Sequence, residues 1–148
     1  MDKERKKTWE QKVTEVTNCY SRAKMKDLMP HTFYDKLFFL DPKIKNYFKD
    51  TDWDHQKKAL LHGLDHLMGF LHNPKDDHHR KQILRLARTH SKKGLNIHPH
   101  EYYYWIDALV LTFKDCDDGW YRDLEYYLRE CLFFPISFMI SLYHGGES

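Results

Sequence analysis

The sequence predicts an all-α fold, and three observations support this prediction. Apolar side chains recur every three or four residues along nearly all of the 148 residues. The segments that carry this spacing are separated by short turns punctuated by proline, and no segment alternates polar and apolar residues as a strand does. There is no internal repeat, low-complexity tract or glycine- and serine-rich linker, so we expect one domain spanning residues 1–148.

Charge and composition argue against several classes of function. The chain has 24 basic and 22 acidic residues, a formal net charge of +2, and no basic tract of the kind that binds nucleic acid. No apolar run reaches the length of about 18 residues that a membrane span needs, and there is no secretory leader pattern. Three cysteines, an odd number without metal-type spacing, suit reduced thiols. We therefore expect a cytoplasmic protein that binds neither nucleic acid nor membranes.

The first two helices carry clear start and stop signals. Thr8 and Gln11 form the pattern of a capping box at the start of the first helix. Pro30 suits the start of the second helix, and the Asp41-Pro42 pair ends it. A short turn with Ile44, Tyr47 and Phe48 follows. The residues predicted to face inward in the two helices are Trp9, Val13, Val16, Tyr20, Phe33, Tyr34, Leu37 and Phe38.

The next two helices each contain one polar residue in an otherwise apolar inward stripe. Asp52 can cap the third helix, which Asn73-Pro74 ends, and Gln56 lies in its stripe. The fourth helix, predicted over residues 78–93 with Gly94 as its C-cap, has His90 in its stripe. The apolar members of the two stripes are Trp53, Leu60, Leu64, Leu67, Leu71, Ile83, Leu86 and Ala87. Burying an amide or an imidazole without a partner costs about 1–3 kcal/mol, so both polar residues should have one.

Two further helices follow, and the fold as a whole is expected to have about seven helices. Pro99 begins one, and the last is predicted from about Trp120 to Tyr143 with a kink or interruption at Pro135. Their predicted inward residues are Tyr102, Ile106, Leu109, Phe113, Leu124, Tyr127, Cys131 and Phe138. The aromatic share of 16% suits rings that fill space around one another or around a flat apolar cofactor.

Four stretches of the sequence, in order, are similar to one family. They are FYDKLF at 33–38 with the Asp-Pro and Tyr-Phe pairs that follow, QKKAL at 56–60, LARTH at 86–90, and the later Gly94, Pro99 and Tyr102. Together they resemble bacterial single-domain globins and the haem domains of flavohaemoglobins, over about residues 8–143. The resemblance implies a globin fold around non-covalent haem b, iron protoporphyrin IX, since the chain lacks the Cys-x-x-Cys-His attachment motif.

The resemblance also implies a role for each matching residue. His90 would be the proximal iron ligand, as imidazole is in globins. Phe48 would stack on the porphyrin, and Leu86 and Tyr102 would also contact the cofactor. Gln56 and Leu60 would lie over the sixth coordination position, with Tyr34 in the same distal pocket. A phenol and an amide there would donate hydrogen bonds to bound dioxygen.

Several assignments have alternatives. His90 could be a core histidine bonded to a carbonyl, and Tyr34 and Phe48 could be ordinary core residues. A one-residue slip of the third helix would put His55 in the place of Gln56. Other histidines are expected to be exposed, including the pair His62 and His66, although their spacing of four residues on a helix can bind a metal ion. We also expect His78, His79, His98 and His100 to be exposed.

The function implied by the resemblance is reversible, high-affinity binding of dioxygen by a monomer or homodimer, with other diatomic gases as further ligands. Removal of nitric oxide as nitrate would need a separate reductase. Two departures from flavohaemoglobins limit an enzymatic function: residues 140–143 contain no acid that could tune the proximal histidine, and Thr89 replaces a lysine common before it. One alternative is a gas-responsive regulator that acts through a partner or a dimer interface. Another is a haem-free globin fold, or a helical bundle that uses its histidines to bind a different metal.

Overall fold

The computed structural model describes residues 6–144, and every regular element in that part of the chain is helical. This confirms the predicted all-α class. Six α-helices and one 3-10 helix follow one another with short connections. Their bounds are α1 Trp9–Ala23, α2 Met29–Leu40, the 3-10 helix Pro42–Phe48, α3 Trp53–His72, α4 Asp77–His90, α5 Glu101–Cys116 and α6 Leu124–Ser141.

The helix starts follow the predicted capping chemistry. The Gln11 backbone N–H donates to Thr8 Oγ1 over 3.2 Å, and the Thr8 N–H donates to Gln11 Oε1 over 2.8 Å, so the capping box is formed. Asp52 accepts from the His55 N–H at the start of α3, which satisfies one of the four free N–H groups there. Pro30 lies in the first turn of α2, as predicted.

Helix pairs enclose the core. α2 packs on α5, α1 on α6 and α3 on α4, with Val16, Leu64, Phe113 and Leu128 fully buried between them. The α3–α4 pair approaches closely at Gly69, where an added Cβ would lie 2.4 Å from the ring of His79. None of the described helices is both long and apolar enough to cross a membrane.

The end of α4 differs from the prediction. The helix was expected over residues 78–93 but ends at His90, and Ser91 rather than Gly94 is its C-cap. The chain turns sharply after Ser91, so that the Leu95 N–H donates to the carbonyl of Thr89 over 2.8 Å. Gly94 lies inside this turn, and a Cβ at this position would be 2.1 Å from the Thr89 carbonyl oxygen. A glycine is required here by a close approach to the backbone.

The last helix also differs from the prediction. α6 begins at Leu124 rather than near Trp120 and ends at Ser141, and it continues through Pro135 without interruption. Phe138, predicted to face inward, is exposed, while Tyr127 is half-buried. The centre of the buried stripe is formed by Leu128, Pro135 and Met139. Phe138 lies at the edge of this stripe, where a helix side chain reaches solvent.

Candidate functional site

A cavity of about 330 Å³ lies inside the helical fold, and every helix except α1 contributes to its wall. Most of the lining is aliphatic or aromatic, with a small set of polar side chains, which is the usual make-up of a cofactor or small-molecule site. The structure brings to this cavity all seven residues that the sequence analysis named for a site: Tyr34, Phe48, Gln56, Leu60, Leu86, His90 and Tyr102.

His90, the last residue of α4, presents one ring nitrogen for a ligand. Its Nδ1 lies 2.7 Å from the carbonyl oxygen of Leu86, one turn earlier. Because a carbonyl only accepts hydrogen bonds, Nδ1 carries the proton and the neutral ring has its lone pair on Nε2. Burial lowers the pKa of His90, and the hydrogen bond to Leu86 opposes that shift. The neutral imidazole favoured by burial is the form that ligates a metal.

Tyr34 and Gln56 form a hydrogen-bonded pair at the cavity wall. The Gln56 Nε2 donates to the Tyr34 hydroxyl oxygen over 2.8 Å, which joins α3 to α2. The phenol therefore keeps its own proton for another acceptor. Burial raises the pKa of Tyr34 to about 12, although the hydrogen bond from Gln56 lowers it, so the phenol is protonated at neutral pH. His55, the alternative to Gln56, is exposed and does not line the cavity.

A cluster of aromatic rings fixes the orientation of Tyr34. Its ring meets Phe48 edge-on at 5.5 Å and Trp53 edge-on at 5.2 Å between centroids. Phe48 in turn stacks on Trp53 at 5.7 Å with an interplanar angle of 20°. Such offset and edge-to-face contacts are favourable arrangements of aromatic rings. Tyr34 is thus held by packing as well as by Gln56.

Glu101 is a cavity residue that the sequence analysis missed. This carboxylate in the first turn of α5 is 7% exposed, and it accepts hydrogen bonds from the Tyr47 hydroxyl over 2.7 Å and the His98 N–H over 2.9 Å. Burial and the nearby carboxylate raise the pKa of Tyr47. Its one signal in the sequence is its position beside Tyr102, because the resemblance to flavohaemoglobins places the corresponding acid in residues 140–143, which contain none. Burial, with a contribution from Glu101, raises the pKa of Tyr102 to about 12.

The loop after His90 is fastened by residues distant in sequence. The Lys92 N–H donates to the carbonyl of Tyr143 over 2.7 Å, just beyond the end of α6. The Tyr47 hydroxyl oxygen, whose one proton goes to Glu101, also lies 3.2 Å from the carbonyl oxygen of Asn96. Asn96 has a φ of 58°, a left-handed conformation that asparagine tolerates better than most residues. These contacts tie the loop to both α6 and the 3-10 helix.

The expectation that His66 is exposed is wrong. His66 is only 8% exposed, because α4 covers this part of α3 and brings His79 against it. Burial and the neighbouring imidazoles of His62, His79 and His78 lower the pKa of His66. His62 and His78 are exposed, as predicted, and His79 is half-buried. These four histidines lie outside the cavity.

Comparison with known proteins defines the fold class as globin-like. A crystal structure from Pseudomonas aeruginosa PAO1, of the protein PA3967, superimposes with a TM-score of 0.82 over 89% of this chain and 98% of that chain. The two sequences are 24% identical, and that protein is described as structurally highly homologous to a human hemoglobin. No protein-family model and no curated protein matches this chain.

Proposed function

We propose that this protein is a haem-binding globin that binds dioxygen reversibly and with high affinity. The observation that carries the proposal is the convergence of the His90 imidazole and the Tyr34–Gln56 pair on one largely apolar cavity. The globin-like fold supports it, as does the description of the structural neighbour as highly homologous to hemoglobin. A fold alone does not define an activity, so the argument rests on these side chains.

The residues around the cavity fit a porphyrin with an iron at its centre. His90 would ligate the iron through Nε2, with its Nδ1–H held by the Leu86 carbonyl as metal-bound histidines usually require. The apolar side chains of Phe48, Leu60 and Leu86 and the ring of Tyr102 would pack on the porphyrin. Haem b held without a covalent bond would supply an iron that binds diatomic gases.

The Tyr34–Gln56 pair would favour dioxygen over carbon monoxide. The phenol proton of Tyr34 is free to be donated, because its oxygen accepts from Gln56. A hydrogen bond to a charged acceptor contributes about 1.5–3 kcal/mol, which corresponds to roughly tenfold to over a hundredfold in affinity. Dioxygen gains partial negative charge when it binds and carbon monoxide gains less, so the donors would slow the release of dioxygen in particular.

The proposal includes removal of nitric oxide as nitrate, with a separate reductase as the partner that restores ferrous iron. Residues 140–143 contain no acid, but Glu101 brings a carboxylate to the cavity wall beside Tyr102. Glu101 is held by Tyr47 and the His98 N–H. Oxygen binding is the primary proposed function, because it needs only the residues of the cavity, whereas removal of nitric oxide also needs the reductase.

A gas-responsive regulator is the second candidate, and one surface favours it. The exposed side of α6 carries two large aromatic side chains two turns apart: Tyr126 is 59% exposed and Phe133 58%. Exposed apolar patches often mark protein–protein contacts. Sedimentation of the ligand-free and carbon-monoxide forms separates the two functions. A change in oligomeric state between the forms would favour the regulator, and an unchanged state would favour simple oxygen binding.

The experiment that tests the primary proposal compares haem binding by His90→Ala and His55→Ala. Both substitutions remove an imidazole, but His90 lines the cavity whereas His55 is exposed. We expect His55→Ala to bind haem with the same spectrum as the native chain. His90→Ala should lose haem or show an altered ferrous spectrum that added imidazole restores. Native binding by His90→Ala would contradict the assignment of the ligand.

A further inference from the structure

Four histidines gather where α3 meets the start of α4. His62 and His66 lie one turn apart on α3, and their Nε2 atoms are 3.1 Å apart. The Nδ1 of His66 is 3.1 Å from the Nδ1 of His79 on α4. His78 completes the group, with its ring centroid 5.2 Å from that of His66. We call this group the histidine cluster, and neither the cavity nor the proposed function uses it.

Both ring nitrogens of His66 thus face another imidazole nitrogen. A neutral imidazole has one donor and one acceptor, so His66 donates in one direction and accepts in the other. When His66 donates its Nδ1–H to His79, its Nε2 lone pair points at the Nε2 of His62. In the metal-free protein the Nε2–H of His62 fills this 3.1 Å separation by donating to the His66 lone pair. If a metal ion replaces that proton, both Nε2 atoms are close enough to bind the same ion.

We propose that His62 and His66 bind a divalent transition-metal ion such as Zn²⁺ through their Nε2 atoms. Zinc–nitrogen bonds of about 2.0–2.1 Å in tetrahedral geometry place two ligand nitrogens about 3.3 Å apart. The observed 3.1 Å needs only a small adjustment of the exposed His62 ring. Among the described residues no group of three or more donors is placed to hold a metal, so water completes the coordination.

His79 acts as a positioning residue for this site. The Nδ1 atoms of the two rings are 3.1 Å apart, and His79 would hold the His66 ring in the tautomer that offers Nε2 to the metal by accepting its Nδ1–H. Its ring reaches His66 because Gly69 leaves room between the helices. The backbone N–H of His79 donates to Asp76, the N-cap of α4, which fixes the start of that helix. The metal on α3 is thereby linked to α4, the helix that ends at His90.

Calorimetric titration of the chelator-treated full-length protein with ZnCl₂ tests the proposal. We expect one Zn²⁺ per chain, and loss of this binding in His62→Gln, which alters an exposed side chain and so leaves folding intact. His79→Gln should weaken binding by about 10–100-fold, as losses of outer hydrogen-bond partners do. His98→Gln is the matched control, since His98 and His100 also form a ring pair, with centroids 5.8 Å apart.

The zinc titrations of the native chain and its variants show whether His62 is a ligand. Zinc binding that His62→Gln removes and His98→Gln leaves unchanged would establish the site. No zinc binding, or equal binding by the native chain and His62→Gln, would overturn it and leave only hydrogen bonds between the imidazoles of the cluster. Circular dichroism of each variant verifies the helical fold. Because zinc does not require haem, failure here would leave the globin proposal intact, and the reverse also holds.

Discussion

The side-chain amide of Gln56 donates a hydrogen bond to the hydroxyl oxygen of Tyr34 over 2.8 Å, which couples α3 to α2 at the wall of the cavity. The two residues are 22 positions apart, and each would be a weak indicator of function alone. Together they make a donor pair in a fixed orientation. The aromatic contacts of Tyr34 with Phe48 and Trp53 prevent its ring from turning away.

Substitution of Tyr34 with Phe should speed the release of dioxygen by roughly tenfold to over a hundredfold. The ring and its packing are kept, and only the donor to the bound gas is removed. Release of carbon monoxide should change much less. Stopped-flow measurement of both rates tests this, with Phe39→Leu as a control because Phe39 is 84% exposed on the same helix. An unchanged oxygen rate would show that Tyr34 is only a packing residue.

Gln56→Leu should also speed the release of dioxygen, by about tenfold, because Tyr34 then loses the amide that orients its hydroxyl group. His55→Ala distinguishes this residue from its neighbour. Since His55 is exposed, its loss should leave the rate as it is. A larger effect of His55→Ala than of Gln56→Leu would mean that α3 presents His55 to the gas, contrary to the structure.

Gly94→Ala should destabilise the protein, whereas Gly63→Ala should not. An added Cβ at Gly94 would lie 2.1 Å from the Thr89 carbonyl oxygen. Only a movement of the loop after His90 could relieve this clash. We expect a loss of about 1–3 kcal/mol. At Gly63 the nearest atom is Leu86 Cδ1 at 3.9 Å, and alanine in a helix interior gains about 0.5–1 kcal/mol. Urea unfolding measures both, and equal effects would contradict the tight turn.

The ion pair between Arg22 and Asp117 should make stability depend on acid pH. Arg22 Nε lies 2.6 Å from a carboxylate oxygen of Asp117, whose side chain is fully buried. Burial would raise the pKa of Asp117, but hydrogen bonds from Arg22, Cys19 and the Gly119 N–H outweigh it and lower the pKa. A carboxyl group whose pKa is lower in the folded than in the unfolded state stabilises the folded protein. Its full contribution to the free energy of unfolding is present above the unfolded pKa of about 3.9 and is lost as the pH falls through the folded pKa.

Asp117→Asn should therefore cost about 1–3 kcal/mol at pH 7, and the difference from the native chain should shrink below about pH 4. The control is Asp118→Asn, since Asp118 is 83% exposed and pairs with Lys26 on the surface. That substitution should cost less than about 1 kcal/mol at any pH. Urea unfolding at pH 7 and at pH 3 measures both variants. A pH-independent cost for Asp117→Asn would mean that packing, and not charge, makes this residue important.

Most of the fold could be predicted because its signals are local. The capping box at Thr8, the cap at Asp52 and the stop at Asp41 depend on residues within one turn, and each is formed. Helical periodicity likewise located the inward stripe of α3 from Leu60 to Leu71, although Trp53, predicted to face inward at its start, is exposed. Periodicity was less exact at the edge of a stripe, where Phe138 is exposed, and it could not foresee that α4 stops at His90.

The features that were missed depend on contacts between distant segments. His66 is buried because His79 of another helix covers it, and nothing within one turn of His66 reveals this. A glutamate in the first turn of a helix is usually exposed. Glu101 is instead buried, and it accepts a hydrogen bond from Tyr47 of the 3-10 helix. The seven site residues named from the sequence were predicted from the resemblance, together with the polar residues Gln56 and His90 in otherwise apolar helix stripes. Residues that only the tertiary fold brings together could not be found in this way.

The visible absorption spectrum of the purified protein tests the central claim most directly. It would be recorded in the ferric state, after reduction with dithionite, and after exposure to dioxygen and to carbon monoxide. The account predicts an intense Soret band that shifts with each gas, followed by slow loss of dioxygen. The absence of a Soret band, even after haem is supplied, would contradict the account and leave a globin-like fold that binds no haem.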